Sequence, residues 1–110
     1  MLDIIKSPRS LRDLVDHFEY IAKDRLSAAR KFLTSVRSTL DSLAGFPGIG
    51  RRFESDHPRL QGIRVTTVKS FRNYLLFYRP TESDLEVLTI IHGARDLPGI
   101  LERLAEQRFR

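Results

Sequence analysis

With 110 residues, 41% of them hydrophobic and 30% charged, the chain is sized for one domain with one modest core and leaves no room for a second. It carries no cysteine and only three scattered histidines, which excludes a disulfide framework, a thiolate metal site and a cysteine nucleophile, and nothing in the pattern asks for a metal or other cofactor. The net charge is +5, and from Arg51 to Arg79 seven basic residues (Arg51, Arg52, Arg59, Arg64, Lys69, Arg72, Arg79) stand against two acidic ones (Glu54, Asp56), so the whole surplus lies in that segment and reads either as a face for an anionic partner, nucleic acid or an acidic protein segment, or as a solvated arginine-rich surface.

The opening MLDIIKSPRS holds Asp3 and reaches Ser7-Pro8 after one apolar pair, which fits neither a signal peptide nor a membrane span and predicts a cytoplasmic protein without a membrane partner. Asp3 to Lys6 read as a short strand. Ser7 and Pro8 then supply an N-cap and a first-turn proline, and Leu11, Leu14, Val15, Phe18, Ile21 and Ala22 follow at the spacing of one apolar stripe on a helix. A second periodic set, Ala29, Phe32, Leu33, Val36, Leu40 and Leu43, predicts another helix entered near Asp24 or Ser27 and stopped by Gly45 and Pro47. So short a join folds the two helices into an antiparallel hairpin. The stretch GFPGIGRRFESDHPRLQG reads as a loop. IRVTTVK, FRNYLLFYR and LEVLTIIH then read as three strands of an antiparallel meander, with a turn at Pro80 to Asp84. A short helix from about Leu97 to Arg108 closes the chain. The order β-α-α-β-β-β plus a C-terminal helix makes a single α+β domain over residues 1–110, with the hairpin packed on one face of the sheet.

That order, together with P-G-x-G-R-R after the hairpin, G-I-R opening a strand, Y-L-L-F-Y-R in the next and I-I-H-G-A-R-D-L at the last strand's end, resembles the ParE/RelE superfamily of type II toxin-antitoxin toxins, in its ParE-like branch of plasmid stabilisation proteins. The resemblance implies a toxin that arrests growth, is held inactive by a co-encoded antitoxin of the ParD or another type, and has DNA gyrase as its target. The RelE-like branch implies the alternative, a ribosome-dependent endonuclease acting on mRNA.

Cleavage of RNA through its own 2′-hydroxyl needs a base, an acid and cations for the phosphorane charge. The RelE-like pattern maps the cationic roles onto Lys69, Arg72 and Arg95, and His92 at the strand end reads either as a base or as a structural hydrogen-bonder. Beyond Arg95, however, the tail DLPGILERLAEQRFR holds no tyrosine and no histidine, only Asp96, Glu102 and Glu106, and this favours an inhibitor over an enzyme. For antitoxin binding the candidates are Leu14 and Phe18 on the first helix, Phe32 and Val36 on the second, and Tyr74 and Tyr78, which share a strand face. The two tyrosines read either as a stacking platform or as aromatic core under the hairpin. For the target the candidates are Arg51, Arg52, Arg64, Arg79 and Arg95. Arg51 and Arg52 also admit a structural pairing with a nearby carboxylate, and Arg64 and Arg79 a role in keeping strands soluble. Asp96 is placed to cap the last helix, which leaves Arg95 as the charge without an obvious local use.

Overall fold

In a computed structural model, which describes residues 1–93 together with Gly99, Glu102, Leu104 and Ala105, the chain opens with strand β1 (Asp3–Lys6) and turns at Ser7 into helix α1 (Pro8–Asp24). The Ser-Pro pair acts as its chemistry predicts: the Ser7 hydroxyl accepts the Ser10 N–H at 3.1 Å and Pro8 occupies the first turn, where its missing N–H costs nothing. Helix α2 (Leu26–Gly45) follows after Arg25 alone, which is extended (φ −154°, ψ 113°) and serves both helices as their shared flanking residue. The helix starts at Leu26, between Asp24 and Ser27 where the pattern places its entry, and no side chain caps it. One extended residue suffices to reverse the chain.

After α2 come a single 3₁₀ turn (Pro47–Ile49), strand β2 (Arg51–Arg52), a second 3₁₀ turn (Pro58–Leu60), and strands β3 (Arg64–Val68), β4 (Phe71–Pro80) and β5 (Asp84–His92). The sheet runs β1-β5-β4-β3-β2, antiparallel except that β1 pairs parallel with β5. The α+β class and the hairpin are as the sequence implies. The sheet differs in two ways, gaining β2 inside the stretch read as a loop and being mixed rather than wholly antiparallel. The mixed pairing arises because the chain leaves β1 for the helices and returns to its side only through the last strand of the meander.

Two apolar clusters lie on the two sheet faces. Under the hairpin, Phe32, Val36, Leu40 and Leu43 of α2 meet Tyr74, Leu76 and Tyr78 of β4 and Leu85, Val87 and Ile90 of β5. On the other face Leu60, Ile63, Val65, Phe77 and Leu88 are covered by Leu104 and Ala105, which are helical, and Arg59 donates to the Ala105 carbonyl at 3.0 Å. Gly99 and Glu102 are helical as well, and the other residues of the predicted C-terminal helix, with Arg95 and Asp96 before it, lie outside the described residues.

Helix α1 does not bury the stripe that its periodicity defines. Leu14 and Ile21 pack on the core, while Leu11 stays 49% and Val15 55% exposed. What α1 turns to the sheet is polar. β1 pairs with β5 as far as Lys6 and Val87, and there β5 bulges, since Phe77 and Tyr78 of β4 stand opposite Thr89 and Val87 and leave Leu88 extra. From this point α1 replaces β1. The Ser7 N–H donates to Val87 O at 3.0 Å and its hydroxyl to Leu88 O at 2.9 Å. The Asp13 carboxylate accepts the Ile90 N–H at 3.0 Å and the Thr89 hydroxyl, and His17 Nε2 donates to Ile90 O at 2.7 Å.

The Pro-Gly-Ile-Gly turn is fixed by one phenol. Tyr78 donates to Pro47 O at 2.7 Å and accepts the Gly50 N–H at 2.9 Å. A Cβ on Gly50 would lie 2.5 Å from that hydroxyl and 2.9 Å from Val65 O, whereas one on Gly48 would meet nothing within 4 Å. Gly50→Ala is therefore expected to cost about 2 to 3 kcal/mol in urea unfolding through overpacking and a displaced hydrogen bond, with Gly48→Ala much closer to neutral. Equal stability of the two variants would remove Tyr78 as the reason for the second glycine.

Candidate functional site

Where β1, α1 and α2 meet, the surface opens into a groove of about 460 Å³ lined by Ile4 and Lys6, Leu14, and Leu33, Val36, Arg37, Leu40 and Asp41. Its walls follow from the docking of α1. Because the polar side of the helix is spent on the β5 edge, Leu14 is left at the groove wall, with Leu11 and Val15 outward beside it. From α2, Leu33 stands one residue past Phe32, about 100° round the helix, so it leaves the core and reaches the groove 41% exposed. Ile4 of the edge strand completes the apolar lining, and Lys6, Arg37 and Asp41 supply its charges. The apolar surface of α2 is simply wider than the sheet can cover.

Of the residues the sequence offers for antitoxin contact, Leu14 lines this groove and Phe18 is half-buried on the same helix. Val36 forms part of the groove wall yet is almost wholly buried. Phe32, Tyr74 and Tyr78 are interior in the free chain: the Phe32 and Tyr74 ring centroids lie 4.7 Å apart with their planes tilted by 55°, and Tyr78 is 0% exposed. Sharing a strand face made the tyrosines neighbours, but that face is the one under the hairpin. Ile4, Leu33 and Arg37 were not singled out, although Leu33 already stood in the apolar set of α2 at its margin.

The candidates for RNA chemistry gather at one end of the sheet without forming a reactive group. Lys69 is tied to α2, its ammonium donating to Ser42 Oγ at 2.8 Å and Ser38 Oγ at 3.3 Å and its backbone N–H to Thr39 Oγ1 at 3.0 Å. His92 pairs across the strands with Tyr74, the two rings 4.8 Å apart, and Tyr74 in turn meets the His17 ring edge-on at 4.9 Å. Arg72 is exposed. Arg95 lies outside the described residues. Among the described residues no three histidine or acidic side chains come together as a metal site would require.

The arginines divide by duty. Arg79 donates to the carbonyls of Gln61 (3.1 Å) and Arg59 and faces Glu86 at 3.7 Å, and Arg64 donates to Gly50 O at 2.5 Å. Both hold the long connection against the sheet. Arg51 and Arg52 are exposed on β2, and their side chains have no hydrogen bond or ion pair among the described residues.

A family model described as the ParE toxin of the type II toxin-antitoxin system, parDE, matches residues 4–97. A Sinorhizobium fredii protein named "Putative toxin Y4kP" is 30% identical over 93 residues, covering 84% of this chain and 90% of its own length. A chain of the solved chromosomal ParDE toxin-antitoxin system from P. aeruginosa superposes with a TM-score of 0.66 at 17% identity over 84% of this chain and 97% of that one, a likeness of fold. No helix among the described residues is long and apolar enough to cross a membrane.

Burial raises the Tyr74 hydroxyl above the usual phenol range, helped by the nearby Tyr20, and burial raises Tyr78 against the opposing pull of the Gly50 hydrogen bond and Arg64. With the folded values raised, the contribution of these groups is fully present below the unfolded value of about 10 and is lost as pH rises through the folded values. Urea stability should therefore fall above pH about 10, and less steeply in Tyr74→Phe. Tyr78→Phe should instead lose about 1 to 3 kcal/mol already at neutral pH, because the Gly50 N–H and Pro47 carbonyl are left unpaired. An alkaline fall as steep in Tyr74→Phe as in the parent would place the titration elsewhere.

Proposed function

Because the chain belongs to the family of ParE toxins of type II toxin-antitoxin systems, we propose that it arrests growth by inhibiting DNA gyrase and that its co-encoded antitoxin silences it by laying an amphipathic segment along the groove between β1, α1 and α2. The observation that carries this reading is the groove's apolar lining, Ile4, Leu14, Leu33, Val36 and Leu40, with Leu11 and Val15 left exposed on the helix that carries Leu14. Contiguous apolar surface of this kind marks a partner site. Its rim carries Lys6 and Arg37 against Asp41, so an amphipathic helix with acidic flanks fits it by both chemistry and charge. An antitoxin tail that orders on binding would cover that surface, and a domain of this size gains stability from being covered.

Inhibition rather than nucleolysis is supported by the chemistry available. A general acid or base contributes about 10²- to 10⁴-fold to such a cleavage. Here the one candidate lysine is engaged with two serines, the candidate histidine is packed on a tyrosine, and the tail offers only carboxylates. Holding one conformational state of gyrase asks for no such pair, only for a surface with greater affinity for that state than for the others. On this reading the protein is not an enzyme and needs no cofactor.

Two measurements test the proposal in turn. Leu33→Asp keeps its fold, since the side chain is already in contact with water, and is expected to weaken co-purification with the neighbouring gene product by about 30-fold or more, the effect of losing a central contact of about 2 kcal/mol. Undiminished capture would move the antitoxin off the groove. Induction without antitoxin should inhibit supercoiling by purified gyrase and leave mRNA 5′ ends unchanged. Codon-positioned cuts with normal supercoiling would instead establish the ribosome-dependent endonuclease and make Lys69, Arg72 and His92 the next residues to substitute.

A further inference from the structure

The sheet edge opposite the groove carries an arrangement that the fold does not require. Arg52 of β2 and Arg64 of β3 are direct cross-strand partners. Their Cβ atoms are therefore about 5 Å apart on one face, and like charges so placed repel. β2 is only two residues long and both are exposed, so no packing demand selects arginine there. Arg64 engages the Gly50 carbonyl through Nη1, and among the described residues the remaining donors of its guanidinium and the whole Arg52 side chain have no hydrogen-bond or ion-pair partner. Beside the pair lies an open pocket of about 370 Å³, walled in part by Phe53, Ser55 and Gln61. Glu54 is the one carboxylate in its lining and forms no ion pair among the described residues.

We propose that Arg52 and Arg64 clip a backbone phosphate of duplex DNA at this edge, so that the toxin contacts the DNA held by its target as well as the target itself; the source of that DNA rests on the gyrase reading. A phosphate between two guanidiniums turns their repulsion into two sets of charge-assisted hydrogen bonds, and the planar fork of arginine matches phosphate oxygens two at a time. A polymer fits better than a free anion because Arg51, the neighbour of Arg52 on the same short strand, points to the opposite face. A ligand that meets both must extend past the sheet edge, as a chain of phosphates does. The location agrees with the charge of the chain, whose entire surplus lies between Arg51 and Arg79.

The test uses the whole toxin and a fluorescein-labelled 20-base-pair duplex, with anisotropy read from 50 to 200 mM salt. Arg51→Ala combined with Arg52→Ala should bind at least tenfold more weakly and flatten the log-log salt slope by about 2, at roughly 0.9 per lost phosphate contact. Arg52→Gln alone should flatten it by about 1. Unchanged melting curves confirm that these exposed substitutions leave the fold alone. Arg30→Ala, an exposed arginine on α2, should change neither quantity. The inference is overturned if the parent fails to bind the duplex, if Arg30→Ala weakens binding as much as the pair does, or if single-stranded RNA of equal length binds as tightly. Gyrase inhibition by the parent is scored separately. Duplex binding without gyrase inhibition would remove the gyrase reading and leave the phosphate clip standing, while inhibition with duplex affinity indifferent to Arg51 and Arg52 would remove the clip alone.

Discussion

Everything on the hairpin side of this protein depends on how the edge of β5 is satisfied once β1 has ended. A strand edge left bare in a folded interior loses hydrogen bonds to water without replacing them, at a cost of about 1 to 3 kcal/mol for each buried group. Here the replacement is a helix. Ser7 offers its backbone N–H and hydroxyl, Asp13 a carboxylate and His17 a ring N–H to four successive residues of β5, Val87 to Ile90. Ser7 does this while also capping the helix it begins. The carbonyl of Ile90 fixes the proton of His17 on Nε2, since only an N–H can donate to it. With its polar side so engaged, α1 cannot turn its apolar stripe fully toward the sheet, and the groove is the consequence.

Much of the architecture was legible in the sequence because it rests on local chemistry. Ser7-Pro8 starts α1, Gly45 and Pro47 end α2, and the β-favouring runs of the second half mark β3 to β5 within a residue or two. What periodicity could not convey is which surface covers a stripe. Leu11 and Val15 share a helical face with Leu14, and the spacing alone assigns all three to the core. The missed signal was Asp13 and His17, four residues apart on one side of the same helix, a polar pair with a strand edge to serve. Tyr74 and Tyr78 present the converse case. Alternation placed them together correctly, but only the fold shows that their common face lies under α2. β2 was illegible because two arginines in a Gly- and Pro-rich stretch have no strand signal, and it exists through pairing with β3. Arg64 and Arg79 take their roles from carbonyls of the long connection, which no nearby sequence pattern announces.

The two halves of the chain place their chemistry at opposite edges of one sheet. Apolar surface collects at the β1 edge, where two helices and a strand meet without filling the space between them. Unspent positive charge collects at the β2 edge, where Arg51 and Arg52 sit on a strand too short to impose a side-chain pattern of its own. On the proposed reading the antitoxin covers the first edge and the target's DNA meets the second, so neutralisation need not compete for the same residues. The sheet between them is tied at both ends, by Lys69 to α2 and by Tyr78 to the turn after α2. A helix that is held to its sheet by hydrogen bonds can present apolar side chains to a partner without first undocking, and such preorganisation lowers the cost of binding.

Methyl NMR of the free toxin titrated with its antitoxin tests this division most directly. The account predicts that the methyl resonances of Leu11, Val15 and Leu33 shift on binding while those of Val65 and Leu88, which face the other side of the sheet, stay in place. Complex formation with the first three unmoved, or with shifts concentrated around β2, would contradict it.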